Sequence, residues 1–411
     1  MNLELYIARR LLKGDGKGAV AVPIVRIALV GIVLGVCVML LSIFIITGFK
    51  KEITNKLSGF SAHLNVVAYT NNGSFSGQEI RVSDTLLNDI RQVPEVVSLY
   101  TYVTKPAILK SPEEIHGVVL RGVDSLYNRK FYEENLKTGE LPDYTTPAAS
   151  NEILISASVA DLLMVKAGDK ISAHFVQDPP RVRSFVVKGI YDTGFKEYDD
   201  VVVLCDIRHL QKLNDWNDNE VSGVAVELGD IGETSRAEEA IDELLPWDDN
   251  NSFYKVSTLG DVAPQVFDWL NLLNMNVWII LILVVTVAGF NMVSGLLILI
   301  LDKTSMIGIL KSLGYKNINL RKLFLYVSVG LIGRGMLWGN CLAFLLAYLQ
   351  YEFKIVSLNP VTYYMNTVPI NFSLVYVLLL NVGVLLVSTL MLIVPTMLIS
   401  KIRPIKAIRF E

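Results

Sequence analysis

The chain has 411 residues, 52% of them hydrophobic, with a net charge of −3 and a mean hydropathy of +0.44. This composition is too apolar for an ordinary soluble protein and too polar for a chain that lies wholly in a membrane, so it indicates membrane helices combined with a water-exposed domain. The three cysteines are far apart and two of them, Cys37 and Cys341, lie in apolar runs, which excludes a disulfide framework.

Four apolar segments are long enough to cross a bilayer, which takes about 20 helical residues because hydrocarbon offers the backbone no hydrogen-bond partner. The segment before the first, residues 1–23, is predicted to form an amphipathic helix. The first uncharged run, 27–49, exceeds the apolar core of a cleaved signal peptide and no cleavage motif follows, so we expect an uncleaved anchor. The predicted spans are residues 24–49, 269–301, 323–350 and 372–400.

Charge is segregated along the chain, with 21 basic and 35 acidic residues between positions 50 and 270. The two terminal segments and the connection after the second span together hold 14 basic and 4 acidic residues. Short basic loops stay in the cytoplasm. We therefore place residues 1–23, 302–322 and 401–411 inside the cell, and residues 50–268 and the loop 351–371 outside it.

Residues 50–268 are predicted to form an α+β domain of two subdomains, so the fold class is a polytopic α-helical membrane protein with an inserted α+β domain. The outer unit is split, about 60–125 and 220–258, and a β-rich unit of about 150–215 is inserted into it. The outer unit has the predicted strands Leu64–Tyr69, Val96–Leu109, Ile115–Val123, Val221–Leu228 and Phe253–Val256, and the helices Val82–Gln92 and Thr234–Leu245. The inserted unit has the helix Ala157–Leu163 and the strands Ile153–Ile155, Asp169–Val176, Arg183–Tyr191 and Asp200–Leu204.

Two consecutive prolines, Pro179 and Pro180, interrupt the inserted unit. Proline cannot donate to a sheet ladder, so we expect a loop between two strands at this point. Arg181 and Arg183 follow it. The loop is either a plain hairpin connection, which is the simpler interpretation, or an exposed docking point for a partner.

Motifs for nucleotide, metal or acyl chemistry are missing from the sequence. There is no G-x-x-x-x-G-K-[ST], no H-E-x-x-H and no G-x-S-x-G, and the four histidines show no ligand spacing. We therefore predict no catalytic residue, no metal site and no cofactor bound by this chain, and we expect a protein that is not itself an enzyme.

The connection 302–322 carries an apolar stripe at helical spacing, which a simple loop between membrane helices would lack. Thr304 or Ser305 is placed to cap the start of a helix, and Gly314 stands where a helix C-terminus favours glycine. This pattern predicts a short amphipathic helix at the cytoplasmic face, which either rests on the bilayer or docks in the groove of a partner.

The pattern K-x-x-x-I-x-I-L-K-x-L-G of this segment resembles the coupling helix of the MacB/FtsX-like permeases. Within that superfamily the chain resembles the lipoprotein-releasing ABC transporter permeases of LolC/LolE type. Four further segments, in the order expected, carry the resemblance: Leu5–Arg10, Thr47–Glu52, Leu358–Tyr364 with Val368-Pro369, and Pro404–Glu411.

The resemblance implies a permease subunit that performs mechanotransmission. It implies a separate cytoplasmic ATPase dimer that binds ATP and Mg, a second permease subunit, a lipoprotein substrate and a periplasmic lipoprotein carrier. ATPase contact would fall on the coupling helix: Ser305, Met306, Ile307, Ile309, Leu310, Lys311, Leu313 and Gly314. The carrier-binding hook of LolC-type permeases is longer than the segment here, which is closer to the LolE type, so carrier docking by Pro179, Pro180, Arg181 and Arg183 is only weakly implied.

Inside the membrane, the resemblance implies that spans 1 and 2 of two permease subunits enclose the acyl chains of the substrate. The candidate cavity residues are Val36, Met39, Ile43, Ile46 and Asn291, and ordinary lipid-facing or packing roles remain open for all of them. Arg334 lies near the middle of span 3, where a charge is costly, and we favour a structural role over substrate contact. Gly330, Gly333, Gly335 and Gly339 on the same span permit close helix packing.

Three other functions compete with lipoprotein release. An FtsX-type division regulator would carry a smaller external domain. In a MacB-type efflux permease the ATPase is fused to the permease, whereas this sequence begins close to its first span. A membrane-anchored scaffold would need no docking helix. The identity of the cargo and the choice between two identical and two different permease subunits stay open.

Overall fold

The computed structural model describes residues 3–13, 21–69, 77–245 and 254–397, and the chain divides into two compact units. The membrane unit consists of Met1–Lys50, Leu270–Val356 and Thr367–Glu411, and the external unit of Lys51–Trp269 and Ser357–Asn366. The predicted tail 401–411, with its family-like ending, lies outside the described residues.

Two helices precede the first strand: α1 (Leu3–Lys13) and α2 (Ala21–Ser61). α2 extends well beyond the predicted span 24–49. After the uncharged run ends, Ile53, Leu57 and Phe60 recur at spacings of four and three, and all three are buried. The charged residues between them lie on the other side, so the helix continues as an amphipathic one into the external unit.

The external unit contains twelve described strands. They are β1 (Leu64–Ala68), β2 (Ile80–Arg81), β3 (Val96–Lys110), β4 (Ile115–Val123), β5 (Leu136–Gly139), β6 (Glu152–Ser156), β7 (Lys170–Phe175), β8 (Arg181–Tyr191), β9 (Val202–Asp206), β10 (Glu220–Val221), β11 (Gly223–Leu228) and β12 (Tyr254–Thr258). Every strand predicted from the sequence is present, with ends that differ by only one or two residues; Phe253 lies outside the described residues.

Ten of these strands form one mixed sheet in the order β12-β1-β11-β3-β4-β9-β6-β8-β5, with β7 added to β3 and β8. β4 pairs with β9, and β6 with β8, in parallel. The remaining pairs are antiparallel, and β2 and β10 form a separate small ladder. The strands of the predicted outer and inserted units thus belong to a single sheet, joined where β4 meets β9 and where β3 meets β7.

Within the described residues, seven short α-helices accompany the sheet: α3 (Asp84–Arg91), α4 (Arg129–Glu134), α5 (Ala157–Leu163), α6 (Lys196–Asp199), α7 (Ile207–Asn214), α8 (Thr234–Asp242) and α9 (Leu259–Val262). The predicted cap of α3 is confirmed, because the Ser83 hydroxyl accepts a hydrogen bond from the Leu86 N–H at 3.1 Å. α3, α5, α7 and α8 cover the main core, to which Ile90, Val159 and Leu210 contribute fully buried side chains. α4, α6, α7 and α9 are not predicted from the sequence.

Six helices follow the domain: α10 (Pro264–Asp302), α11 (Thr304–Ser312), α12 (Asn317–Phe353), α13 (Pro360–Tyr363), α14 (Leu374–Met391) and α15 (Ile393–Met397). α2, α10, α12 and the α14–α15 pair are the four helices of the described residues that are long and apolar enough to cross a membrane. α14 ends four residues before Pro395, whose ring would clash with the carbonyl of Met391 in a continuous helix.

Glycines bring the membrane helices close together on two sides of α2. A Cβ on Gly31 or Gly35 of α2 would lie 3.3 Å from a side chain of α10. On α12, a Cβ on Gly335 would lie 2.6 Å from a side chain of α2, and one on Gly339 would lie 2.9 Å from the carbonyl oxygen of Val33. Small residues thus allow α10 and α12 to approach α2 closely, as helices in lipid often do.

Gly339→Ala should destabilise the helix packing, because the new methyl group would meet the Val33 carbonyl, which is backbone and cannot rotate away. We expect a loss of about 1–3 kcal/mol, typical of overpacking, read as a lower midpoint of thermal unfolding of the purified protein in detergent.

Gly333→Ala is the matched control on the same helix, because its Cβ would meet nothing within 4 Å. It should leave the midpoint unchanged or raise it slightly, since alanine favours helix over glycine. Equal midpoints for the two variants would contradict the close approach at Gly339.

Candidate docking helix and transport surfaces

The predicted short helix after the second membrane helix is α11, but its start differs from the prediction. Lys303 occupies the N-cap position and makes no capping bond. The Thr304 hydroxyl instead donates to the carbonyl of Ile300 at 3.1 Å and of Leu301 at 2.7 Å. Capping by Thr304 or Ser305 is therefore wrong, because α11 begins one residue after α10 and Thr304 bonds back onto that helix.

The end of α11 is the glycine-terminated form that the sequence predicts. Gly314 has φ +88°, its N–H donates to the Lys311 carbonyl at 3.0 Å, and the Tyr315 N–H donates to the Leu310 carbonyl at 3.0 Å. These are the two bonds of a Schellman motif, which satisfies the last carbonyls of a helix. A methyl group on the Gly314 α-carbon would meet nothing within 4 Å, so the backbone angle alone requires glycine.

The apolar residues of α11 divide between two faces. Ile307 is fully buried, and Met306 and Leu310 pack against the core of the membrane unit. On the opposite face Ile309 is 50% exposed and Leu313 is 78% exposed. One face thus anchors the helix to its own chain, while the other presents branched aliphatic side chains outward.

Ser305 and Ser312 lie on the exposed face with Ile309 and Leu313. Ser305, Ile309 and Leu313 are spaced four residues apart, so they follow one line along the helix surface. Lys311 lies between the faces and is half-buried. The eight residues predicted for ATPase contact therefore include three that anchor α11, Met306, Ile307 and Leu310.

The helix α1 lies beside this region within the membrane unit. It packs along α12, with Ala8 buried and Ile7 in contact with the same core that holds Met306 and Leu310. Arg9 and Arg10 are exposed on its other side. α1 is thus two-sided, as an amphipathic helix is; of the predicted helix 1–23, residues 1–2 and 14–20 lie outside the described residues.

The five candidate cavity residues have different surroundings. Val36 and Met39 are buried in the packing between α2 and its neighbours. Ile43 and Ile46 are half-buried, and Asn291 of α10 is exposed. Of these five residues in one chain, only the last three present surface to lipid, substrate or a second subunit.

Arg334 lies on the exposed side of α12. A methyl group on its neighbour Gly333 would meet nothing, whereas Gly335, on the next position, packs against Ile32 of α2. The guanidinium side of α12 is therefore not the side that contacts α2.

The predicted loop at the two prolines is the turn between β7 and β8, which confirms the loop. Pro179 and Pro180 are exposed at its tip. Arg181 instead turns back to α7, where it donates to the Leu213 carbonyl at 3.3 Å and pairs with the Asp215 carboxylate at 3.1 Å. Of the residues predicted for carrier docking, Arg181 thus has a structural task, and Arg183 is half-buried next to the turn.

An aromatic pocket at the end of α2 is not predicted from the sequence. The Phe60 ring stacks on Tyr198 with centroids 5.0 Å apart, and it meets Phe131 at 5.3 Å and Tyr132 at 6.4 Å in edge-to-face contacts. Tyr191 closes the pocket at 6.2 Å. The helical spacing of Ile53, Leu57 and Phe60 is the signal that would have found it.

Beside this pocket, the loop before α6 is held by a buried carboxylate. The Thr193 hydroxyl donates to Asp199 Oδ1 at 2.9 Å and the Thr193 N–H donates to Oδ2 at 3.2 Å. The Phe195 N–H donates to the Thr193 hydroxyl oxygen at 3.1 Å. Burial raises the pKa of the Asp199 carboxyl to about 6, against the lowering effect of the bonds from Thr193.

The part of the chain that the structure describes contains no candidate metal site. No group of three or more His, Cys, Asp or Glu side chains there is arranged to hold an ion. Exposed surfaces of the described residues include the outer face of α11, the turn between β7 and β8, and the outward sides of the membrane helices.

Two family models match the chain. The model of the MacB-like periplasmic core domain matches residues 27–244, more than half of the chain, and the model of the FtsX-like permease C-terminal region matches residues 278–404. Together they cover most of α2, most of the external domain and the greater part of the helices from α10 onward, including α11.

Curated relatives match over most or all of their length. The chain is 24% identical over 427 residues to the lipoprotein-releasing system transmembrane protein LolC of Neisseria meningitidis serogroup B, covering 100% of both chains. It is 22% identical over 359 residues to the corresponding LolE protein of Haemophilus influenzae, covering 84% of this chain and 83% of the other. The solved periplasmic region of MacB from Actinobacillus actinomycetemcomitans is 12% identical, with a TM-score of 0.36 over 49% of this chain and 91% of that one.

The raised pKa of Asp199 predicts a pH dependence of stability. The folded protein holds this proton more tightly than the unfolded chain, so the contribution is greatest below about pH 4 and is lost as the pH rises through about 6. Asp199→Asn should remove this loss and flatten the decline of the thermal midpoint between about pH 4.5 and pH 7, roughly the window set by the two pKa values.

Asp161→Asn, at an exposed carboxylate of α5, is the control and should leave the pH profile of the midpoint as it is in the wild type. A profile of Asp199→Asn that runs parallel to the wild-type profile would show that the Asp199 carboxyl does not titrate in this window.

Proposed function

The chain belongs to the family of proteins with a MacB-like periplasmic core domain, and on that premise we propose that this LolC/LolE-type permease serves an ABC transporter for lipoproteins. It extracts lipoproteins from the inner membrane and passes them to a periplasmic carrier for sorting to the outer membrane. The match to a LolC protein over the whole of both chains supports lipoprotein release over the division, efflux and scaffold alternatives.

The observation that carries the proposal is the two-sided α11. A helix that only terminated a loop would bury its apolar residues or replace them with polar ones, whereas Ile309 and Leu313 are held outward by the anchoring of Ile307. Exposed aliphatic residues one turn apart fit the groove of a partner. The partner is an ABC ATPase dimer that supplies ATP and Mg, since this sequence carries no nucleotide-binding motif.

The proposed energy transfer begins at this contact. When the ATPase dimer closes on ATP, it moves α11, and α10 follows because a single residue, Lys303, separates the two helices. α10 leads directly to the external domain, as does α2. ATP hydrolysis thus drives a movement of the domain on the other side of the membrane, which is the task of mechanotransmission.

The substrate path uses surfaces that one chain leaves open. Ile43, Ile46 and Asn291 are available to enclose acyl chains together with a second permease subunit, identical or different. The large domain lies in the periplasm, as the charge distribution predicts, and Pro179 and Pro180 at its β7–β8 turn are the exposed candidates for carrier contact.

Ile309→Glu combined with Leu313→Glu should abolish binding of the ATPase, because two buried carboxylates would replace the apolar contact. Each interface anchor of this kind contributes about 2 kcal/mol or more, so the ATPase should no longer co-purify with the permease in detergent. The anchoring residues are untouched, and the thermal midpoint of the permease should stay close to that of the wild type.

Ile309→Leu with Leu313→Met is the matched control, which preserves apolar volume and should retain the ATPase. Stoichiometric co-purification of the ATPase with the doubly charged variant, at unchanged ATP hydrolysis, would contradict coupling through α11.

Depletion of the protein in its own cells should cause mature outer-membrane lipoproteins to accumulate in the inner membrane. Membrane fractionation after pulse labelling measures this, with an integral outer-membrane barrel protein as the control for general export. If lipoproteins still reach the outer membrane at the normal rate, lipoprotein release is not the function.

A further inference from the structure

The loop between the third and fourth membrane helices is divided between the two units. Residues Ser357–Asn366 belong to the compact external unit, although the helices on either side, α12 and α14, belong to the membrane unit. The segment closes on itself, since the Leu358 N–H donates to the Asn366 carbonyl at 2.8 Å. It therefore docks within the external unit as a small closed loop.

Tyr364 is one side chain of this loop that contacts the rest of the external unit. The ring of Tyr364 stacks on the ring of Phe195, with centroids 4.8 Å apart and planes 22° apart. Phe195 is fully buried and is fixed by its N–H bond to Thr193. Offset stacking of this kind is favourable beyond the burial of area, and here it joins two segments that are distant in sequence.

The backbone of Tyr364 is also held by contacts with its surroundings. The Lys56 ammonium of α2 donates to the Tyr364 carbonyl at 3.2 Å. Tyr364 has φ +59°, a left-handed conformation that a non-glycine residue keeps only where its surroundings hold it there.

A third element meets the same ring. Trp269, in the first turns of α10, lies edge-on to Tyr364 with centroids 6.0 Å apart. Tyr364 thus contacts α2 through Lys56, α10 through Trp269 and the domain through Phe195. Its own loop continues directly into α12 and α14.

We propose that Tyr364 is a positioning residue that links the external domain to α12 and α14, so that all four membrane helices follow the domain in the transport cycle. α2 and α10 run into the domain, whereas α12 and α14 reach it through the loop that carries Tyr364. The inference rests on the proposed function and deepens it by naming the residue through which half of the membrane helices take part.

The test uses the permease assembled with its ATPase and second subunit in proteoliposomes that contain a lipoprotein, with a periplasmic carrier outside. Tyr364→Ala should lower lipoprotein release about tenfold, which corresponds to roughly 1.4 kcal/mol, while ATP hydrolysis and the thermal midpoint stay near wild type. Tyr364→Phe keeps the ring and should restore release. Tyr363→Ala, at the exposed neighbouring tyrosine, is the matched control and should release normally.

A second measurement does not depend on the substrate. Amide hydrogen exchange of residues 357–366 should accelerate in Tyr364→Ala and remain at the wild-type rate in Tyr364→Phe. If wild-type protein releases no lipoprotein, the proposed function fails, and the exchange result still decides whether Tyr364 holds the loop.

Wild-type release and unchanged exchange in Tyr364→Ala would overturn the inference. Where Tyr364→Ala does not fold, Lys56→Met removes the bond to the Tyr364 carbonyl together with the ammonium charge, and Lys51→Met, which removes a charge at an exposed position of α2, is its control. Release by Lys56→Met equal to that of Lys51→Met would likewise overturn it, and a selective loss of release would support it.

Discussion

The packing of Phe60 among aromatic rings is the contact on which the external half of the chain depends. α2 leaves its apolar span and would end at the water boundary if Lys50 and Lys51 were followed by a polar stretch. Ile53, Leu57 and Phe60 instead continue one apolar face, and the ring of Phe60 is stacked on Tyr198 among its aromatic neighbours. Burying an aromatic side chain of this size contributes on the order of 2–3 kcal/mol. The helix therefore enters the domain as part of its core.

The short helix α11 of the membrane unit uses apolar side chains in a different way. Burial of Ile307 fixes this helix to its own chain, and this leaves Ile309 and Leu313 without cover. Their exposure does not add to the stability of the single chain. The same few residues thus serve both the fold and a partner, and the division between the two tasks follows the helical repeat. Substitutions on this helix should separate cleanly into those that weaken the protein and those that weaken its assembly.

Sequence reasoning found the parts that local physics determines. The length of the uncharged runs indicated the four membrane helices, the alternation of apolar and polar residues indicated the strands, and Gly314 marked the end of α11. α7 was missed although its signals were present, since Asp206 caps it and Leu210 and Leu213 follow at helical spacing. The contact between Phe195 and Tyr364 could not be predicted, because no local pattern relates two rings so distant in sequence. Periodicity likewise placed Val36 on a face without revealing that a glycine face of α12 covers it.

The junction between α10 and α11 contains one residue. Only the two backbone torsions of Lys303 separate the helices, and even these are restrained, because its N–H donates to the Leu299 carbonyl at 3.1 Å and its carbonyl accepts from the Ile307 N–H at 2.9 Å. Between α11 and α12, by contrast, four residues intervene, which include the capping Gly314. The direction of α11 is therefore tied more tightly to that of α10 than to that of α12.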